Sequence, residues 1–178
     1  MAVALPRPRR LLALACLIGT AFAHAQSLGA AATARAPGEN PEAAFVAQAE
    51  RADLAAVALS RVARRAARSP RVRSLAAEVL RDRSADHRRL ALIAAHENID
   101  LPHALDADQA ARRAGLSRLD GDALDDAYLR LLIANQRGRL ALFESAGATV
   151  RPEELRTYIR TSLPQLRGEL GAAQALRY

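Results

Sequence analysis

The stretch from Ser69 to Glu97 constrains the fold most, because its pattern indicates one long helix whose buried face carries charge. Ser69 is a favourable N-cap, and the proline that follows suits the first helical turn, where no backbone N–H is needed. Apolar residues recur along one face, at Val72, Leu75, Val79, Leu90, Ile93 and Ala94. The same face passes through Arg83 and Asp86. This pattern predicts a helical bundle with a polar layer across its middle.

Length and composition indicate a single all-α domain. A chain of 178 residues can build one domain with its own core. Hydrophobic residues make up 51% of it, and alanine and leucine, which favour helix, dominate them. No segment alternates with the period of two that strands require. We predict four long helices and one short crossover helix between the second and third.

The first 25 residues have the pattern of a signal peptide. A basic start precedes the apolar run LLALACLIGTAFA and the cleavage motif Ala23-His24-Ala25. The run is too short to span a bilayer comfortably. Cys16 lies within it, so the cleaved chain would have no cysteine chemistry. Lipidation at Cys16 is the alternative, which the apolar residues beyond it disfavour. We expect export to the periplasm, or peripheral association with the envelope, of a Gram-negative-type bacterium.

The charge of the chain argues against a nucleic-acid partner. All 26 basic residues are arginine, and the formal net charge is +7. Removal of the three arginines in the signal segment lowers it to +4, which is too weak to imply nucleic acid. The arginine clusters lack the interleaved aromatic residues that stack on bases. We therefore predict solvated faces for Arg64, Arg65, Arg68, Arg71, Arg73, Arg88, Arg89, Arg112 and Arg113.

The domain is predicted to span residues 40–178, after a flexible leader at 26–39. The first helix should run from Asn40-Pro41-Glu42 to about residue 68, with a core face of Phe45, Ala49, Ala52, Ala56, Leu59 and Ala63. The short turn at 68–70 implies an antiparallel hairpin with the second helix. Residues 98–120 form the long connection, in which Asp106 caps the short helix.

The last two long helices also show single apolar faces. The third should begin near Asp120 or Asp122 and end at Gly147, with a face of Leu129, Leu132, Ile133, Gln136, Leu140 and Phe143. The fourth should open at residues 151–154, with a face of Leu155, Ile159, Ser162, Leu166, Glu169, Ala173 and Leu176. Both patterns follow helical periodicity.

A central polar layer is predicted where each long helix places a polar or small residue on its buried face, at Ala56, Arg83, Gln136 and Glu169. Bundles build metal and cofactor sites at such a level. The alternative is that long charged side chains pair there or extend to solvent. We predict that Arg83 pairs with Glu169, because a guanidinium binds a carboxylate bidentately, and that Gln136 hydrogen-bonds to the pair.

Four segments carry a family resemblance: FVAQAERADLAAVALSRVA, SPRVRSLAAEVLRDRSADHRRL, GDALDDAYLRLLIANQRGRLALFESA and LPQLRGELGAAQAL. Their order and spacing resemble the ferritin-like family of predicted exported or outer-membrane proteins known as domain of unknown function 4142. The resemblance implies a ferritin-like four-helix bundle, export and no established activity. It also implies that relatives carry possible metal ligands, Glu or His, where this chain has Ala56, Arg83, Gln136 and Glu169.

Of these four residues only Glu169 could still coordinate a metal, so we predict no metal site and no cofactor. Asp82, Asp86 and His87 are the best residual candidates, and we expect His87 to be a solvated or boundary histidine. We also expect His96 and His103 at the surface. No glutamate of the chain is followed three residues later by histidine, as di-iron bundles require.

The sequence therefore predicts no catalytic residues and no enzyme. We expect a non-enzymatic binding or structural module of the envelope, with no transmembrane helix in the mature chain. Two alternatives stay open. One is a metal-binding or redox bundle of ferritin-like type, and the other is a peripheral module that docks on anionic envelope surfaces through arginine. The partner would then be such a surface or another envelope protein.

Overall fold

The computed structural model describes residues 40–177, in which all regular structure is helical. The helices are α1 (Pro41–Ala66), α2 (Pro70–His96), α3 (Ala107–Leu116), α4 (Gly121–Ala146) and α5 (Glu153–Ala175). The prediction of an all-α four-helix bundle with a short crossover helix is confirmed. The predicted signal peptide and leader lie outside the described residues. Within 40–177, no helix is long and apolar enough to cross a membrane.

The four long helices pack in the order α2, α1, α4, α5, with α5 returning to α2. α1 packs closely on α2 and α4, and α4 packs closely on α5. α3 lies against α1 and α4 and carries the chain across the bundle. The seam between α2 and α5 is the least tightly packed of the four.

Local hydrogen bonds fix where the helices begin. The side chain of Asn40 accepts hydrogen bonds from two backbone N–H groups at the start of α1, and Asp106 forms a capping box at the start of α3. The turn between α1 and α2 is held from a third helix. Asp125 of α4 accepts hydrogen bonds from the backbone N–H groups of Arg68 (2.9 Å) and Ser69 (2.7 Å). This carboxylate therefore joins the hairpin to α4.

The core consists of two apolar clusters separated along the bundle axis. The turn-end cluster lies on the side of the α1–α2 turn and includes Ala56, Leu59, Ala63, Val72, Leu75, Val79, Leu124, Tyr128, Leu132, Ile133 and Ala173. The loop-end cluster lies on the side of the α4–α5 loop and includes Phe45, Val46, Ala49, Leu90, Ile93, Phe143, Leu155, Tyr158, Ile159 and Leu166. Polar side chains fill the level between them.

The predicted faces of α2 and α5 are confirmed, apart from Leu176, which is half-buried. Two predictions on the other helices were wrong. In α1, Ala52 is half-buried and Asp53 is buried in its place. In α4, Leu140 is half-buried and Arg139 is buried instead. The other predicted core residues of both helices are buried. At this one level the charged neighbour is buried instead, because its side chain finds partners of opposite charge inside the bundle.

A buried ion-pair layer as the candidate functional site

Four side chains of alternating charge meet at the centre of the bundle, from α1, α2 and α4. Asp53, Arg83, Asp86 and Arg139 are each no more than 2% exposed. Arg83 Nη1 donates to Asp86 Oδ2 (2.8 Å) and to Asp53 Oδ1 (3.4 Å). Arg139 Nη1 lies 2.8 Å from Asp53 Oδ1, and its Nη2 donates to Asp86 Oδ2 (3.2 Å). Each carboxylate therefore bridges both guanidinium groups, which closes a ring of ion pairs.

Glu169 joins α5 to this ring. Arg83 Nη2 donates to Glu169 Oε1, and Gln136 Nε2 donates to Glu169 Oε2. Gln165 Nε2 donates to Glu169 Oε1 from one turn earlier in α5 (3.3 Å). The predicted contacts of Arg83 with Glu169 and of Gln136 with that pair are thus confirmed. Ala56 is the exception among the four predicted layer residues, because it is buried in the turn-end cluster.

Arg139 connects the ring to the loop-end cluster. Its Nη2 donates to the hydroxyl of Tyr158 (3.1 Å), which is a second contribution from α5. Its Cζ lies 4.8 Å from the centroid of the Phe143 ring, which places the cation over the aromatic face. Phe143 in turn packs edge-on against Phe45. All four long helices therefore contribute to the buried ion-pair layer, whose members are Glu50, Asp53, Arg83, Asp86, Gln136, Arg139, Tyr158 and Glu169.

His87 is the contact between this layer and solvent. Its side chain is 50% exposed, and its Nδ1 lies 2.7 Å from Oε1 of the fully buried Glu50. The prediction of a boundary histidine is confirmed, and so is surface exposure of His96 and His103. Asp82, which is half-buried, pairs instead with the exposed Arg81 (3.3 Å).

The residual metal candidates therefore face different partners. Asp86 binds the two guanidinium groups, Asp82 binds Arg81, and His87 binds Glu50. In the part of the chain from 40 to 177, no group of three or more His, Cys, Asp or Glu side chains is arranged to hold a metal ion.

The layer contains more acid than base. Its four buried carboxyl groups, Glu50, Asp53, Asp86 and Glu169, face two guanidinium groups and His87. Burial raises the pKa of Asp53 well above its ordinary value; Arg83 opposes the rise, and the neighbouring carboxylates, above all Asp86, add to it. Burial also raises the pKa of Glu169, against the opposing effect of Arg83. The folded chain thus holds a proton on Asp53 more tightly than a solvent-exposed aspartate would be held.

Four members of the layer were not predicted from the sequence: Glu50, Asp53, Arg139 and Tyr158. A heptad pattern would have found two of them: Ala49, Asp53, Ala56, Ser60 and Ala63 alternate at spacings of four and three residues. The corresponding stripe in α4 has spacings of three, four and three residues, at Gln136, Arg139, Phe143 and Ala146. Glu50 and Tyr158 lie beside these stripes, and only the contacts of the folded chain reveal their place.

The fold and the site together define a class of protein: an all-α four-helix bundle whose core is divided by a layer of buried ion pairs. The chain belongs to the family described as Domain of unknown function (DUF4142), whose model matches residues 27–176. It is also similar to the crystal structure of a DUF305 fragment from Deinococcus radiodurans, with a TM-score of 0.69 and 21% sequence identity over 78% of this chain and 95% of that chain.

At that identity the likeness to the DUF305 fragment concerns the fold alone. Among curated proteins, none matches this chain significantly. The ferritin-like description stays a prediction.

Proposed function

We propose that this protein is an exported, envelope-associated helical bundle without enzymatic activity, which serves as a binding or structural module. One observation carries the proposal. The guanidinium groups of Arg83 and Arg139 occupy the level at which bundles bind metals and cofactors, and they already neutralise carboxylates there.

The charges at this level act against a bound cation. Asp53, Asp86 and Glu169 would be the natural oxygen ligands, and each of them contacts at least one guanidinium group. A metal ion would have to displace these contacts and approach two fixed positive charges. The pair of Glu50 and His87 offers only two side chains.

The burial of the layer also argues against catalysis. A catalytic group must reach a substrate within hydrogen-bonding distance. Asp53, Arg83 and Arg139 are each only 1% exposed, so their polar atoms cannot contact a molecule in solvent. His87, which lies next to the layer and is exposed, has its ring bound to the buried carboxyl group of Glu50. This arrangement supports a structural role for the layer.

Native mass spectrometry of the protein recovered from the envelope fraction tests this proposal. We expect an intact mass that corresponds to a chain beginning at Gln26, because the cleavage motif ends at Ala25. We also expect no stoichiometric iron, zinc or copper on the folded chain. A retained, lipid-modified Cys16 would contradict the proposed export route. One metal ion per chain that is lost in Glu169→Ala would favour the metal-binding alternative.

Exposed arginines at the α1–α2 turn favour an anionic envelope surface as the binding partner. Arg61, Arg64, Arg65, Arg68 and Arg71 are all exposed around this turn. Within residues 40–177, only Arg68 of this set pairs with a carboxylate, that of Asp122 at 2.9 Å. The other four are available to anionic headgroups. Each arginine near such a surface contributes about 1 kcal/mol to the binding free energy.

Vesicle binding tests this partner. We expect the protein to bind anionic vesicles, to lose binding as salt is raised, and to ignore zwitterionic vesicles. Arg64→Glu with Arg65→Glu should weaken binding at least about tenfold, from the loss of two favourable charges and the gain of two repulsive ones. The matched control reverses Arg112 and Arg113, which are exposed on α3. Equal loss in the control, or binding that is insensitive to salt, would contradict docking through the turn.

A further inference from the structure

The loosely packed seam between α2 and α5 contains a groove at the end of the bundle where the α1–α2 turn lies. The volume of this turn-end groove is about 390 Å³, which falls in the range of about 300–1,000 Å³ for small-molecule sites. It is lined from α2 by Arg71, Leu75 and Glu78, and from the end of α5 by Ala172, Ala175 and Leu176. The groove therefore adjoins the exposed arginines of the turn.

The floor of the turn-end groove is the edge of the core. Leu75 is 4% exposed and belongs to the turn-end cluster, and the half-buried Leu176 packs against that cluster. The wall on the side of α5 consists of Ala172 and Ala175, which are both exposed. Because their methyl side chains are too short to close the seam, an apolar channel stays open beside the core.

The two ends of the groove carry opposite charges. Arg71 lies at the end next to the turn, and Glu78 lies seven residues further along α2, a rise of about 10 Å. Both side chains are exposed. Within residues 40–177, Arg71 has no carboxylate within 4.0 Å, unlike Arg68, which binds Asp122. An anionic group is therefore attracted to the turn end of the groove and repelled from the other end.

We propose that the turn-end groove binds the acyl chain of a single anionic lipid molecule, whose charged headgroup lies on Arg71. The inference rests on the proposed docking of the α1–α2 turn on an anionic envelope surface, from which it takes the class of ligand. Charge complementarity selects this occupant. An anionic lipid carries a negative group next to an apolar chain, and the groove presents Arg71 next to its apolar floor. The chain is uncharged, so it extends toward Glu78 without the repulsion that a second anionic group would meet there.

Isothermal titration calorimetry of the protein purified from the envelope fraction tests the site with three probes. Octyl phosphate has both an anionic group and a chain, inorganic phosphate has only the charge, and octyl glucoside has only the chain. Below its micelle concentration, octyl phosphate should bind at least about tenfold more tightly than inorganic phosphate, because each buried methylene strengthens binding about fourfold. It should bind about fivefold more tightly than octyl glucoside, the effect of one arginine on an anionic group.

Two variants locate the bound probe. Arg71→Gln should weaken the binding of octyl phosphate about fivefold and leave the binding of octyl glucoside unchanged. Ala172→Gln with Ala175→Gln should weaken both by at least about tenfold, because uncharged polar side chains then take the place of two or more methylenes of the probe. Glutamine also favours helix. The matched controls are Arg113→Gln and Ala141→Gln, which are exposed on α3 and α4 outside the groove. Circular dichroism should show the same helix content in every variant.

Vesicle binding separates this site from docking of the turn. Lipids in a vesicle keep their chains in an apolar environment, so transfer of a chain into the groove gains little. The variant of Ala172 and Ala175 should therefore bind anionic vesicles as the wild type does, whereas Arg64→Glu with Arg65→Glu weakens that binding. If the vesicle results hold and the octyl phosphate results fail, the groove proposal is wrong and the docking proposal stands.

Four results would overturn the proposal. Equal affinity for octyl phosphate and inorganic phosphate would show that no chain is bound. Equal affinity for octyl phosphate and octyl glucoside would assign the groove to a neutral apolar ligand. Unchanged binding of octyl phosphate to the variant of Ala172 and Ala175 would place the chain elsewhere on the protein. Dimers of the wild type that this variant abolishes, detected by analytical ultracentrifugation, would assign the groove to a second copy of the chain.

Discussion

Replacement of Arg83 by methionine should lower the free energy of unfolding by about 3–5 kcal/mol, the usual cost of leaving buried charge uncompensated. Arg83 contacts Asp53, Asp86 and Glu169, so its removal deprives three buried carboxyl groups of a shared cation. Arg139 still contacts the two aspartates. Among residues 40–177, Glu169 loses the one guanidinium group that contacts it and keeps hydrogen bonds from two glutamine side chains.

Glu169→Leu should lower the free energy of unfolding by less than Arg83→Met does, because Arg83 keeps Asp53 and Asp86 as partners. The double variant should lose less than the sum of the single losses, with a coupling energy of about 1–3 kcal/mol, since residues in one ion-pair network are not independent. Urea denaturation of the wild type, the two single variants and the double variant measures this double-mutant cycle.

The matched control cycle is Arg167→Met with Glu144→Leu. This pair has an N–O distance of 2.9 Å, and both side chains are about half exposed. Surface pairs of this kind contribute about 0–1 kcal/mol. Additive effects at Arg83 and Glu169, or single variants as mild as those of the control pair, would contradict a stabilising role for the layer.

Asp53→Asn should change the pH dependence of stability. The pKa of Asp53 is raised in the folded chain, so the folded state holds this proton more tightly than the unfolded state does. The stabilisation that Asp53 contributes is therefore complete below its pKa in the unfolded chain, about 3.9. It is lost as the pH rises through the pKa of Asp53 in the folded chain. Asparagine stays neutral throughout. The stability of the wild type relative to the variant should fall with rising pH, by about 1.4 kcal/mol for each unit of pKa difference.

Urea denaturation of both proteins, at pH values from about 4 to 8, measures this difference across the range above the unfolded pKa. Asp82→Asn is the matched control, because Asp82 is half-buried, lies outside the layer and pairs with an exposed arginine. A difference between wild type and Asp53→Asn that stays constant or grows with pH would show that Asp53 is ionised in the folded chain at acidic pH.

Several features of the fold followed from the sequence because local signals agreed with the tertiary contacts. Each proline at a helix start has a favourable cap before it at Asn40 and Ser69, and both helices begin there in the structure. The faces of α2 and α5 could be predicted because each has one clear apolar stripe. The contact between Arg83 and Glu169 followed, since the two residues carry opposite charges and both lie on the buried stripe of their helix near its middle.

The buried ring could not be predicted in the same way, because adjacent residues competed for the core. Ala52 precedes Asp53, and Leu140 follows Arg139; apolarity alone favours the alanine and the leucine. Which of the two adjacent residues is buried depends here on partners 30 or more residues away in sequence. Hydrophobic periodicity carries no information on such partners, so the balance of charges became visible only in the folded chain.

The ion-pair layer also bears on how far the helices can slide along one another. Ala49, Ala56 and Ala63 lie seven residues apart on the buried face of α1. A shift of α1 by seven residues, about 10 Å, would bring alanines back opposite the same neighbours. The small side chains therefore do not distinguish the two alignments, but such a shift would carry Asp53 away from Arg83 and Arg139 into an apolar cluster. We expect that the buried charges set the register of this bundle, as single polar residues do in coiled coils.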